Sequence, residues 1–295
     1  MSTQAGKKLI LVPIDFTEIT LVALQQAINL AKVIDAEITV INVLEDYGFF
    51  NKYISNNEHK EMEDKTVAQL NELAEKESAN SGIKIDTIIK KGKIYDKINK
   101  AAKDLNATLI LMGTSGTMGL MKFIGSNTLR VIRESKIPVI SIKGSNIDEG
   151  LNNILLPLDL TKDTKEKVAK AVWLSRLYNG ATINMVSFST AKEGYVLQNI
   201  KKQEKFVRKF LADKGISFTS EIINDMKGES LPENVFKYAK KMNSGLIMIM
   251  TQQENDITDM FIGSSAQAII NGSEIPVMSV VPAPKKNVSS GIGTW

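Results

Sequence analysis

The sequence predicts an α/β protein built as two tandem units, each a parallel sheet whose strands alternate with helices. Three observations predict it. Short apolar runs bounded by turn residues alternate with stretches of helical periodicity, the pattern of βαβ units. The whole series then recurs once along the chain. Finally, 295 residues exceed one ordinary compact core, while 43% hydrophobic and 24% charged residues match a globular protein.

Lys8 to Asp15 reads as the first strand, ending at Pro13-Ile14-Asp15. Thr17 and Glu18 open a helix in which Leu21, Leu24, Ile28 and Ala31 recur at steps of three and four. Glu37 to Val43, rich in β-branched residues, is the second strand. Glu58 to Ser81 is a charged amphipathic helix with Val67, Leu70, Leu73 and Ala74 on one face, stopped by Gly82. Lys84 to Lys90 is the third strand, Lys93 to Leu105 a helix, and Thr108 to Gly113 the fourth strand. A glycine-rich loop follows, from Gly113 through Gly116 and Gly119 to Gly125, and a helix starts at Ser126. Ile137 to Ile142 is the fifth strand.

Then the pattern restarts. Leu156-Pro157-Leu158-Asp159 repeats Val12-Pro13-Ile14-Asp15, and Lys227-Gly228 repeats Lys91-Gly92. Leu246 to Ile249 repeats Leu109 to Met112, Gly263-Ser264 repeats Gly125-Ser126, and Ile275-Pro276-Val277 repeats Ile137-Pro138-Val139. The expected domains are 1–145 and 151–283, joined by a polar linker and followed by a flexible tail, 284–295.

Composition removes several kinds of chemistry. The formal charge is +4 with lysines dispersed among acids, which argues against a nucleic-acid binder. With no cysteine and only His59, disulfides, thiolate catalysis, cysteine zinc sites and histidine clusters are excluded. The apolar run Leu9 to Val12 is cut by Pro13 and Asp15, too short for a signal or a membrane span, so the expected location is cytoplasmic, with no membrane partner. The Walker pattern, the dinucleotide fingerprint and the nucleophile elbow are all absent.

The stretch Met112 to Asn127 carries the functional signal. Glycines let the backbone turn and let a ligand approach without a Cβ in the way. Free N–H groups at such a loop and at a helix N-terminus form an anion site. Taken with the repeat, the strand-end Asp15 and the Ile-Pro-Val strand, this chain resembles the universal stress protein family, across nearly its whole length and twice over. The resemblance implies two doubly wound domains, each a five-stranded parallel sheet in order 3-2-1-4-5 with helices on both faces. It also implies ATP, ADP or AMP, with or without Mg2+, across the carboxyl ends of strands one and four. By matching positions, Asp15 and Val43 lie near adenine and ribose, and Gly113 passes the ribose. Gly116, Ser126 and Asn127 offer N–H and hydroxyl groups to phosphates, with Ser126 as the helix N-cap; Pro13, Met112 and Gly125 complete the expected contact set. The family spacing is Gly-x2-Gly-x9-Gly-Ser/Thr, whereas eight residues separate Gly116 from Gly125 here. One residue fewer removes up to ~3.5 Å of contour.

The second half departs further. Met250 and Gln253 stand where the two glycines belong, and Glu254 and Asp256 add carboxylates. That half is expected not to bind a triphosphate and to act as a structural partner. Val139 to Ile142 and Val277 to Val280 are suited to pair with each other as an internal pseudo-dimer, as single-domain members dimerise, and a homodimer of whole chains is a further expectation.

Plainer readings stand beside these. The glycine loop also fits a tight connection without ligand, and Asp15 fits a cap for the helix beginning near Thr17. Tyr47, Phe49, Phe50 and Tyr53 read as packing on neighbouring helices, Lys91 and Lys227 as solvated, His59 as exposed, and Met248 and Met250 as core. A nucleotide-independent scaffold or chaperone-like protein is the alternative function, and a weak ATPase the second alternative, with no general base to name.

Overall fold

The structure, a computed structural model, describes residues 7–45, 56–114, 125–143, 152–158, 164–178, 180–189, 194–224, 228–251 and 262–281, and of residues 56, 57 and 59 the backbone only. Gly116, the aromatic cluster 47–53, Asp159, Lys227, Gln253, Glu254, Asp256 and the tail 284–295 lie outside the described residues, as does the side chain of His59.

The first half runs β1 (Lys8–Pro13), α1 (Glu18–Ile34), β2 (Ala36–Leu44), α2 (Asn56–Ser81), β3 (Ile85–Lys91), α3 (Ile94–Asp104), β4 (Leu109–Gly113), α4 (Ser126–Glu134) and β5 (Val139–Ile142). The second runs β6 (Asn153–Leu158), α5 (Thr164–Leu177), β7 (Thr182–Phe188), α6 (Tyr195–Asp213), β8 (Phe218–Ile223), α7 (Leu231–Lys241), β9 (Leu246–Met250), α8 (Ser264–Gly272) and β10 (Val277–Val280). Two strand ends differ from the sequence reading by two residues, and the others in this half by one at most. β1 stops at Pro13, two residues early, because Phe16 turns the chain at φ 65° into α1. β5 begins at Val139, since the Ile137 N–H bonds the Ser135 hydroxyl at 3.1 Å and Pro138 has none to give.

One ten-stranded sheet results, in order β3-β2-β1-β4-β5-β10-β9-β6-β7-β8. Each half therefore has the order 3-2-1-4-5, parallel throughout. At the centre β5 and β10 pair antiparallel, with Met278 opposite Ile140. Lys143 reinforces the junction by donating to the Asn271 carbonyl. Strands β4, β5, β9 and β10 are buried along their whole length because helices cover both faces, which explains their unbroken apolar runs.

Each face has its own core, and each core spans both halves. One gathers α1, α2, α5 and α6 against the sheet through Leu24, Leu70, Val168 and Val207. The other gathers α3, α4, α7 and α8 through Ile98, Val131, Val235 and Ile269.

Candidate functional site

In the first half the strand order reverses between β1 and β4, and a crevice opens at their carboxyl ends. The turn after β1 shapes one wall. Asp15 Oδ1 accepts from the Thr17 N–H at 3.0 Å, the Thr17 hydroxyl at 2.5 Å and the Thr20 hydroxyl at 2.9 Å. Thr17 is the N-cap of α1 but makes no side-chain cap bond, so the Asp15 carboxylate supplies the missing acceptor. The capping reading of Asp15 is thus realised, and it fixes the carboxylate at the crevice mouth. Behind it the Asn42 amide donates to the Ile14 carbonyl at 2.8 Å and locks β1 to β2.

β4 delivers Gly113 to the opposite side. A Cβ there would lie 2.6 Å from the Ile19 carbonyl oxygen and 2.9 Å from its carbon. Glycine is required because α1's first turn packs directly on the strand end, a reason the loop reading did not contain. Gly113 keeps an ordinary φ, so close approach rather than unusual torsion selects it.

α4 begins at Ser126, with Gly125 as its N-cap. This corrects the expectation that Ser126 caps the helix: Ser126 is its first helical residue. Gly125 has no side chain to cap with, and no side-chain cap bond is made. The first-turn N–H groups at Ser126, Asn127 and Thr128 therefore lack intrahelical partners and carry the positive end of the helix dipole.

These pieces enclose a cleft of about 290 Å³. Of the nine expected contact positions, Pro13, Asp15, Val43, Met112, Gly113, Gly125, Ser126 and Asn127 line it; Gly116 falls outside the described residues. The lining also includes residues the sequence reading missed: Thr20, Asn42, Ile41 and Thr128, with Ile94 and Ile98 reaching in from α3. Thr20 was legible as a hydroxyl five residues after Asp15, one turn into the helix. The isoleucines looked like ordinary core, and only the packing of α3 against β2 brings them here. The result is two-sided. Apolar Ile41, Val43, Ile94 and Ile98 lie on the β2 side of β1, and the uncapped α4 terminus lies on the β4 side. Lys91 is exposed, as expected, and pairs on the surface with Glu63 at 2.5 Å. Among the described residues no group of three His, Asp or Glu side chains could hold a metal ion, and no helix is long and apolar enough to cross a membrane.

The corresponding positions in the second half carry different side chains. Gly113 pairs with Ile142 and Met250 with Val280, so the registers put Met250 at the position of Gly113. Ten residues after the strand-end proline, the first half has Ala23 and the second has Lys167. Lys167 is only 2% exposed, and its ammonium donates to the Pro157 carbonyl at 2.6 Å.

Known proteins share both halves. A sequence profile of the universal stress protein family matches residues 7–143 and again 150–281. A universal stress protein of Methanocaldococcus jannaschii is 32% identical over 143 residues, 46% of this chain and 82% of its own length. A putative universal stress protein of Staphylococcus epidermidis is 27% identical over 145 residues, 48% of this chain and 87% of its own length. The crystal structure of a universal stress protein from Archaeoglobus fulgidus has the same fold, with a TM-score of 0.76 at 22% identity, covering 94% of this chain and 100% of the other. With the family profile matched twice along one continuous sheet, this chain belongs to the universal stress protein family as a tandem member.

Proposed function

We propose that the first half binds an adenine nucleotide, ATP or its di- or monophosphate, with or without Mg2+, and that the second half supports it without binding one. The observation that carries this reading is the cleft itself, where eight positions separated by up to 114 residues of chain meet beside an uncapped helix N-terminus. A cleft of about 290 Å³ lies at the small end of ligand sites, which span roughly 300–1,000 Å³, and suits a nucleoside whose phosphates extend outward. Ile41, Val43, Ile94 and Ile98 offer an apolar slot for a flat base. Asp15 Oδ1 is committed to Thr17 and Thr20, so Oδ2 is the oxygen for a ribose hydroxyl. Ser126, Asn127 and Thr128 direct N–H groups to the phosphates, each worth about 0.3–1 kcal/mol at an exposed helix end.

Isothermal titration with ATP, ADP and AMP, with and without Mg2+, tests the reading and should give one nucleotide per chain. Ser126→Pro removes one N–H and one hydroxyl while keeping the helix start, since proline is tolerated at the first helical position. It should weaken ATP about tenfold and leave adenosine unchanged. No heat at millimolar nucleotide would end the proposal.

A further inference from the structure

α2 and α6 hold equivalent places in the two halves, each following the second strand of its half and packing beside the third. Their charges are opposite. α2 carries seven carboxylates against three lysines, a net −4, while α6 carries five lysines and arginines against two acids, a net +3. The charges face outward. Glu58, Glu61, Asp64, Glu72 and Glu75 of α2 are exposed, as are Lys201, Lys202, Lys205, Arg208 and Lys209 of α6. Both helices pack on the same face of the sheet, through Leu70 and Ala74 and through Val207 and Leu211. They sit beside β3 and β8, the two ends of the strand order, so one chain cannot bring them together.

Each helix also carries an exposed apolar feature. Between α5 and α6 lies a groove of about 220 Å³ walled by Val168, Phe206, Val207 and Phe210. Phe206 is 52% exposed, and the Lys165 ammonium stands 5.4 Å from its ring centroid, placing a cation on the rim. On α2, Met62 is 62% exposed, flanked by Glu61, Glu63 and Asp64.

We propose that these two surfaces recognise each other between copies: α2 of one chain docks on α6 of a second, and Met62 enters the groove between α5 and α6. A thioether fills an irregular apolar groove well and makes favourable contacts with aromatic rings. Exposed ion pairs are individually weak, so the charges orient and steer the approach while the apolar contact holds it. A basic helix alone would also suit a polyanion or an anionic membrane. The second copy is favoured because it presents an acidic helix carrying an apolar side chain of the size the groove takes.

Sedimentation velocity on the full chain tests this. At about 50 mM salt the mass should rise above one chain with concentration, and at about 0.5 M it should return to one chain, because the Debye length there is only a few ångströms. Reversing α6 (Lys201→Glu, Lys202→Glu, Lys205→Glu, Lys209→Glu) or α2 (Glu61→Lys, Asp64→Lys, Glu72→Lys, Glu75→Lys) should each weaken self-association at least tenfold. Mixing the two variants should restore it, since each then offers the charge the other needs. Met62→Ala should weaken association about tenfold at about 50 mM salt, where the wild type assembles. A single-chain mass for the wild type at low salt, assembly indifferent to both reversals, or a mixture that stays apart would each overturn the proposal. So would wild-type chains that stay single yet bind RNA or phosphatidylserine vesicles through α6.

Discussion

The carboxyl ends of β1 and β6 share a strand order and differ in the side chains described around them. In the first, Ala23 is fully buried and Gly113 lets the Ile19 carbonyl approach beside a cleft of about 290 Å³. In the second, Met250 stands at the glycine's register, and Lys167 brings an ammonium to the strand-end carbonyl of Pro157. Met250 and Lys167 are therefore two described differences between halves that share one fold. Site chemistry in a repeated fold is decided at the few positions where the strand ends and the first helix meet, not by the strand order.

Exchanging residues between the crevices breaks or sharpens the comparison. The largest effect should come from Gly113→Met, which gives the first half the second half's residue. With Ile19 backbone atoms 2.6 and 2.9 Å from the new Cβ, strand and helix must part, at a cost of about 3 kcal/mol in urea unfolding. Wild-type stability in this variant would show that the α1 contact is not what selects glycine. The reciprocal change, Lys167→Ala, removes the buried ammonium and leaves a cavity, and should cost about 2 kcal/mol by the same measurement. If the second crevice is closed by Lys167 and Met250 together, Lys167→Ala with Met250→Gly should open it to nucleotide, as titration would detect.

Smaller effects come from the caps. Asp15→Ala removes the acceptor for the Thr17 N–H and for both hydroxyls and should cost about 1 kcal/mol in thermal unfolding, with adenosine affinity reduced as well. The smallest concerns a pair of equivalent helices. α7 begins with a capping box in which Glu233 accepts from the Ser230 N–H and hydroxyl, whereas Lys93, the N-cap of α3, makes no side-chain cap bond. The Ser230 backbone bond first, and its hydroxyl second, hold the Glu233 carboxyl below its usual range. A depressed folded-state value means this stabilisation is present above the unfolded pKa and fades as pH falls through the folded one. Glu233→Gln should therefore flatten the loss of melting temperature between about pH 5 and pH 3 relative to wild type. An unchanged slope would assign the acid sensitivity to other carboxylates.

Much of this architecture is legible locally. Alternating apolar runs and helical periodicities mark the strands and helices of the first half to within about two residues where their ends were read, because each buries a face whose spacing is set by its own geometry. The Gly125-Ser126 helix start and the strand-end Asp15 are legible for a similar reason: turns and helix ends demand particular residue types. Ile94 and Ile98 were not, since an isoleucine facing a cleft and one facing a core look the same along the chain. Nor was the reason for Gly113. The loop reading assigned it to a ligand, while the close contact is with Ile19, 94 residues earlier.

The sequence by itself determined the two α/β units, their repetition and the positions from which a strand-end site could be assembled, because these follow from periodicity and backbone chemistry. Only the tertiary structure decided the antiparallel register of β5 on β10, two strands the sequence marked as suited to pair, and the turn of the Lys167 ammonium onto the Pro157 carbonyl. It alone put α2 and α6 beyond each other's reach within one chain. Those outcomes depend on register and packing between segments far apart in the chain, which no local pattern encodes.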